Sequence, residues 1–108
     1  MLKTFFSNAS SNATSATIET SSGKYGRTTG FNMQCSVSGT GAVTATFDLY
    51  GSNIRSNSGG SVLGNITLSG TTSVTESVDI PATWKYLYCI LSNLTGTGAI
   101  ASAFGRES

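Results

Sequence analysis

The sequence predicts an all-β protein, an antiparallel β-sandwich of jelly-roll-like type with seven or eight strands and no substantial helix. The clearest observation is the run 42–50, in which Val43, Ala45, Phe47 and Leu49 alternate with polar residues. Such alternation is the pattern of a strand with one face in the core and the other in water. Similar runs recur about every ten residues between turns rich in Gly, Ser and Thr, as in sandwiches and jelly rolls.

The chain is predicted to form one domain with an N-terminal arm. Its 108 residues suffice for a single core. Residues 1–13 are interpreted as the arm and residues 14–108 as a single β-sandwich domain. In the arm, Phe5 and Phe6 precede a small polar stretch. They dock either on the chain's own sandwich or on a neighbouring subunit, and we expect only partial order because termini are ordered only where they are tied down.

The strands follow in order along the chain. Alternation predicts strands at 16–19, 31–37, 42–50, 62–69, 74–80, 84–94 and 99–104. Turn residues separate them at 23–30, 38–41, 51–61, 70–71 and 95–98. Glu76 interrupts the apolar side of its strand, which indicates either an edge strand that resists unwanted pairing or a bulge that shifts the register. Pro81, the only proline, ends that strand.

Two cysteines lie in the middle of predicted strands, on the apolar side. In a reducing compartment, Cys35 and Cys89 are expected to be small buried hydrophobic residues. A bridge between facing strands is the alternative, and spacing alone does not decide between them.

The residues offer no catalytic, cofactor-binding or metal-ligating constellation, so we expect no enzyme and no cofactor. The chain has no histidine, and its five acidic residues are dispersed. The Gly-Thr-Gly turns at 39–41 and 96–98 precede strands, whereas a phosphate loop opens a helix. Six scattered basic residues indicate no nucleic-acid partner. No apolar run is long enough to cross a membrane or to act as a signal peptide, so synthesis in a cytoplasm is expected.

The last two predicted strands are apolar on both faces. One face belongs to the core, and the outward one carries Tyr88, Ile90, Ile100 and Phe104. A contiguous exposed apolar patch usually marks an interface, and the alternative is that the N-terminal arm covers it. The candidate interface residues are therefore Phe5, Phe6, Tyr88, Ile90, Ile100 and Phe104.

Four pieces of the chain, in order, are GAVTATFDLYGSN (41–53), LGNITLSG (63–70), TWKYL (83–87) and LTGTGA (94–99). Each is a strand with its turn. Their order and spacing resemble a family of small virion proteins of tailed bacteriophages, of the capsid decoration (cement) type. Residues 1–40 show no such likeness.

The resemblance implies a β-sandwich on the capsid exterior of the virion, assembled in the host cytoplasm. It implies that the protein binds where capsomers meet and clamps neighbouring subunits of the major capsid protein. It also implies a homodimer or homotrimer, and it supplies no catalytic residues. Tyr88 and Ile90 depart from the pattern, where more polar outward residues are expected, which points to a tighter oligomer.

Two alternatives accompany this hypothesis. The first is a carbohydrate-binding or adhesion module on a head fibre or tail, based on Tyr50 beside the loop 51–61, with Tyr25 and Trp84 as candidate stacking platforms. For Trp84, however, an anchor in the core or at a strand end is the favoured interpretation. The second alternative is a connector or tail component of the same virion.

Overall fold

The structure, a computed structural model, describes residues 2–19, 30–80 and 84–107. Its strands are β1 (Leu2–Ala9), β2 (Ala13–Thr14), β3 (Ile18–Glu19), β4 (Phe31–Ser52), β5 (Ser61–Ile80) and β6 (Tyr86–Glu107). All strand pairs are antiparallel, and the described ranges contain no helix. The predicted all-β class is thus confirmed. Pro81, Tyr25 and nearly all of the predicted turn at 23–30 lie outside the described residues.

Three strands are much longer than predicted. β4 and β6 have 22 residues each and β5 has 20, and β4 pairs along its length with both of the others. A straight strand of 22 residues is about 73 Å long, whereas the longest dimension of the protein is 45 Å. Each long strand therefore bends back on itself.

The bends occur where the sequence predicts turns. Left-handed backbone is found at Gly41 in β4, at Thr72 in β5, and at Gly96 and Gly98 in β6. The prediction that 31–37 and 42–50 are separate strands is wrong, and so is the corresponding prediction for the pairs in β5 and β6. The reason is that these residues bend a strand while its neighbours bend with it, so pairing continues on both sides.

The bends fold the ribbon into two layers. The first layer contains β1 with 31–38, 73–80 and 99–107. The second layer contains β2 and β3 with 42–52, 61–71 and 86–95. The layers face each other, since the ring centroids of Phe6 and Phe47 are 6.4 Å apart and a Cβ on Gly64 would lie 2.7 Å from Ile80 Cδ1.

The core lies between these layers. Val43, Ala45, Phe47 and Leu49 are fully buried, which confirms the alternation predicted for 42–50. Alternate residues in the rest of β4 and in β5 and β6 add to the core: Phe31, Met33, Cys35, Val37, Ile66, Leu68, Ile80, Leu87, Cys89, Leu91, Ala101 and Ala103.

Both cysteines are buried and unbridged. Burial raises the pKa of the Cys35 thiol from 9.0 to about 12. Burial, with smaller contributions from the neighbouring Cys35 and Asp48, also raises the pKa of the Cys89 thiol. Since the thiolate is the reactive form, these two side chains act as inert core residues.

The segment predicted as an arm is instead part of the sandwich. β1 pairs with β6 in the first layer, and β2 and β3 pair with β6 in the second. A register shift between Thr4 and Phe6 inserts one extra residue, and such a bulge re-aims side chains. As a result, the consecutive residues Phe5 and Phe6 are both buried, with the Phe5 ring 6.0 Å from that of Phe31 in an edge contact.

Glu76 lies on a sheet edge. β5 is the last strand in the order β1-β6-β4-β5. Its register with β4 is unbroken from Phe31 opposite Ile80 to Ser38 opposite Ser73. Of the two explanations for this charge, the edge strand is therefore confirmed, and there is no bulge at this position.

Candidate interface surfaces

The six predicted interface residues lie in different environments. Phe5 and Phe6 are each 7% exposed and belong to the core. The other four belong to β6, which crosses from one layer to the other. Consequently, Tyr88 and Ile90 are on the outer side of the second layer, and Ile100 and Phe104 are on the outer side of the first. The prediction of one contiguous patch is wrong, because a single bent strand places its two ends on opposite faces.

Tyr88 is covered by the loop that joins β4 to β5. Its side chain is 1% exposed. The backbone N–H of Gly60 donates a hydrogen bond of 2.9 Å to the Tyr88 hydroxyl, and the ring stacks on Tyr50 at 5.1 Å and 4°. A Cβ on Gly60 would lie 2.8 Å from the Gly51 carbonyl oxygen and 3.0 Å from the Tyr88 ring, so the contact with the backbone oxygen requires glycine. Neither the arm nor a second subunit is needed to explain why this position is apolar.

The same loop, residues 53–60, reaches across β6 to the N-terminal segment. Asn57 Nδ2 donates to the Ser15 carbonyl at 3.2 Å. Arg55 lies 3.7 Å from the Glu19 carboxylate and 5.3 Å from the centre of the Tyr86 ring. Both charged partners are exposed, so the ion pair contributes little to stability. The loop is held mainly by the hydrogen bonds of Gly60 to the Tyr88 hydroxyl and of Asn57 to the Ser15 carbonyl.

Ser15 fixes the N-terminal segment to β6. Its N–H donates to the Cys89 carbonyl at 2.8 Å, and its Oγ accepts the Cys89 N–H at 2.9 Å. Ser15 is buried between β2 and β3, where the register with β6 changes by one residue. Sequence reasoning missed this residue, because one more serine in a stretch rich in Ser and Thr gives no signal.

The outer face of the first layer carries two apolar side chains, Ile100 and Phe104, and most of the side chains around them are uncharged. Ile100 is 38% exposed and Phe104 is half-buried. The side chains around them on this face are mostly hydroxyls and amides: Gln34, Ser36, Ser38, Ser73, Thr75, Ser77 and Ser102. The charged side chains Asp79 and Arg106 share the last row with Asn32, whose Nδ2 donates to Asp79 at 2.7 Å. We call this surface the first-layer face.

The outer face of the second layer is more polar. Asn65 Nδ2 donates to Asp48 Oδ1 at 2.5 Å, and the Thr44 and Thr95 hydroxyls are hydrogen-bonded. Ile90 is half-buried beside Asp48 and Thr14. Val62, which lies opposite Tyr50, is 59% exposed, so the apolar surface of this face is at the end of the layer near the loop 53–60.

Trp84 lies two residues before the start of β6. A Cβ on Gly51 would lie 2.6 Å from Trp84 Cγ, so the indole covers the end of β4. Trp84 is half-buried, which favours the interpretation as a strand-end anchor over that as a stacking platform.

Within the described ranges, no three His, Cys, Asp or Glu side chains are grouped so that they could hold a metal ion. In the same residues, there is no helix long and apolar enough to span a membrane.

Comparison with known proteins shows the fold. No protein-family model matches the chain, and no curated protein sequence matches it. Among solved structures, one described as "CBM4 structure and function" superposes with a TM-score of 0.57 at 10% identity. The match covers 90% of this chain and 61% of that one, so the chain spans less than two thirds of that protein's length. At this identity, the likeness shows a shared β-sandwich fold alone.

Two further structures are more distant. Cowpea mosaic virus top component matches with a TM-score of 0.48 at 13% identity, over 75% of this chain and 54% of that one. The K1 cleaved adhesin domain of Lys-gingipain from Porphyromonas gingivalis W83 also has a TM-score of 0.48, at 14% identity, over 99% and 73% of the two chains. Neither is similar enough to support a functional argument.

Proposed function

We propose that this chain is a non-enzymatic structural protein of a tailed-bacteriophage virion that decorates the capsid exterior and clamps neighbouring subunits of the major capsid protein. The observation that carries the proposal is the first-layer face, where Ile100 and Phe104 stand among neutral polar side chains. Protein interfaces are depleted in charge at their centre, and the charged side chains of the first-layer face, Asp79 and Arg106, are likewise confined to its last row.

The resemblance to decoration proteins supports the same proposal. The four resembling pieces fall mainly on β4, β5 and β6, the three long strands that build both layers. Low net charge also favours association over repulsion between copies on a shell. Many weak contacts repeated around a capsid give firm attachment through avidity.

A binding assay with phage heads tests this proposal. Heads of a tailed phage that encodes the chain, prepared without the protein, are mixed with wild-type protein or with Ile100→Asp, and bound protein is measured after sedimentation. Ile54→Asp is the matched control, because Ile54 is 67% exposed on the loop between β4 and β5, away from the first-layer face.

Wild-type protein and Ile54→Asp should saturate the heads at the same concentration, whereas Ile100→Asp should need at least about tenfold more protein, because it places a charge in an apolar contact. Equal binding by all three proteins would refute the assignment of the surface. Absence of wild-type binding would refute the proposed function itself.

A carbohydrate-binding or adhesion role is the second candidate. The CBM4 likeness in fold and the aromatic residues Tyr50, Trp84 and Tyr86 at one end of the sandwich favour it. However, Tyr88 is buried and Trp84 lies on Gly51, which leaves little flat aromatic surface for a sugar ring. Glycan-array binding that is lost in Tyr86→Ala would support this role in place of capsid decoration.

A further inference from the structure

The two edges of the sheet are built differently. At one edge, the N-terminal segment is broken into β1, β2 and β3, with register shifts after Thr4 and Phe6 and left-handed backbone at Asn8. At the other edge, β5 runs for 20 residues, and its pairing with β4 is regular from Gly64 to Thr71. Bulges and short strands block the addition of further strands, and a long regular edge invites it.

The β5 edge also lacks the usual chemical protection over most of its length. Residues 61–75 contain no charged residue and no proline. Glu76 and Asp79 protect only the part of the strand that belongs to the first layer. In the part that belongs to the second layer, no described strand pairs with β5 on its free side.

We propose that residues 64–70 of β5 pair antiparallel with the same residues of a second copy of this chain, about a two-fold axis, so that the second layers of two copies form one continuous sheet. This inference rests on the proposed function for its biological setting, because a decoration protein is expected to self-associate. It names the surface and the symmetry of that association.

Self-pairing fits this segment chemically. With Thr67 at the axis, Thr67 lies opposite its own copy and Asn65 lies opposite Ser69 of the second copy, so that neutral polar side chains meet on the outer face. The inner side of the segment carries Ile66 and Leu68, which would meet apolar residues or glycine. Pairing of the residues around Glu76 would instead bring like charges together, and like charges opposite one another destabilise a sheet.

A second copy is a better occupant than a strand of another protein because two-fold pairing is self-limiting. Each copy contributes the uncharged part of its β5 edge, and the edges that remain exposed are the bulged N-terminal edge and the part of β5 that carries Glu76 and Asp79. Growth therefore stops at two subunits, as expected for an isologous interface. The first-layer face is on the opposite side of the sandwich and remains free to bind a capsid.

Sedimentation equilibrium of the full chain tests this inference. Wild-type protein should have twice the chain mass of 11.1 kDa at micromolar concentration. Thr67→Lys should weaken the dimer by about tenfold or more, because the symmetry places the lysine in the interface twice. Thr4→Lys is the matched control, since Thr4 is an exposed threonine on the bulged edge, and it should remain dimeric.

Hydrogen exchange of wild-type protein gives an independent measurement if Thr67→Lys does not fold. Amides within 64–70 should become protected as concentration rises, whereas those of 73–80 should not change. A monomer or trimer, equal effects of the two lysine variants, or uniform protection along β5 would overturn the inference. Head binding is measured in parallel to separate the two proposals. A wild-type monomer that binds phage heads would refute the β5 pairing alone. A wild-type dimer that does not bind phage heads would refute the capsid function alone.

Discussion

The hydroxyl of Tyr88 accepts a hydrogen bond of 2.9 Å from the backbone N–H of Gly60, 28 residues earlier in the chain. This contact closes the loop 53–60 over the outer side of β6. It accounts for an apolar residue at a position where the strand pattern alone predicts exposure to solvent or to a partner.

Tyr88→Phe removes this hydrogen bond while keeping the stacked ring. The Gly60 N–H then loses its partner in a partly buried site, and we expect the free energy of unfolding to fall by about 1–2 kcal/mol. Urea denaturation measures this change. Tyr50→Phe is the control, because the Tyr50 ring takes part in the same stack and its hydroxyl makes no hydrogen bond within the described residues. Equal losses in the two variants would contradict the role of the hydrogen bond.

Ser15→Ala leaves the Cys89 N–H without an acceptor. This N–H is buried, so we expect a loss of about 1–3 kcal/mol in the free energy of unfolding. Faster hydrogen exchange at the Cys89 amide should accompany this loss. The exposed Ser11→Ala variant should change neither quantity measurably. Unchanged exchange at Cys89 in Ser15→Ala would show that Ser15 does not hold the segment.

Phe6→Ala tests whether the N-terminal segment belongs to the fold. Phe6 packs against Phe47 in the core, so we expect its truncation to cost about 3–5 kcal/mol of unfolding free energy. The exposed Ile54→Ala should change that free energy by less than about 0.5 kcal/mol. A loosely attached arm would make Phe6→Ala as mild as the Ile54 variant, and thermal or urea unfolding distinguishes the two cases.

The buried thiols predict a loss of stability in alkaline solution. Because the folded pKa of Cys35 is about 12 against 9.0 when unfolded, the unfolded chain releases its proton first as pH rises. The free energy of unfolding should therefore be unaffected by this group below pH 9 and should fall between pH 9 and 12. Cys35→Ala should show a shallower fall over that range than wild type does. Parallel curves for the two proteins would mean that Cys35 titrates normally.

The sequence predicted the parts of the fold that depend on local pattern. Alternation in 42–50 identified Val43, Ala45, Phe47 and Leu49 as core residues, because the side-chain period of a strand is a property of the backbone itself. For Glu76 the sequence left two explanations, an edge strand or a bulge, and only the strand order of the folded sheet selects the edge.

The remaining features depend on contacts between distant residues. A glycine turn such as 38–41 has the same local chemistry whether the chain reverses or bends, so the number of strands was overestimated. The contact between Gly60 and Tyr88 could not be predicted either. The residues around Tyr88 in the sequence give no sign that the loop between β4 and β5 covers its side chain. Only Ile100 and Phe104 of the six predicted interface residues lie together on the first-layer face.

Electron microscopy of decorated phage heads would locate the protein on the virion. We expect density for the sandwich on the outside of the shell, with the first-layer face against the major capsid protein and with Ile100 and Phe104 in the contact. Density on the tail or at the connector, or a sandwich that touches the shell only through the loop 53–60, would contradict this expectation.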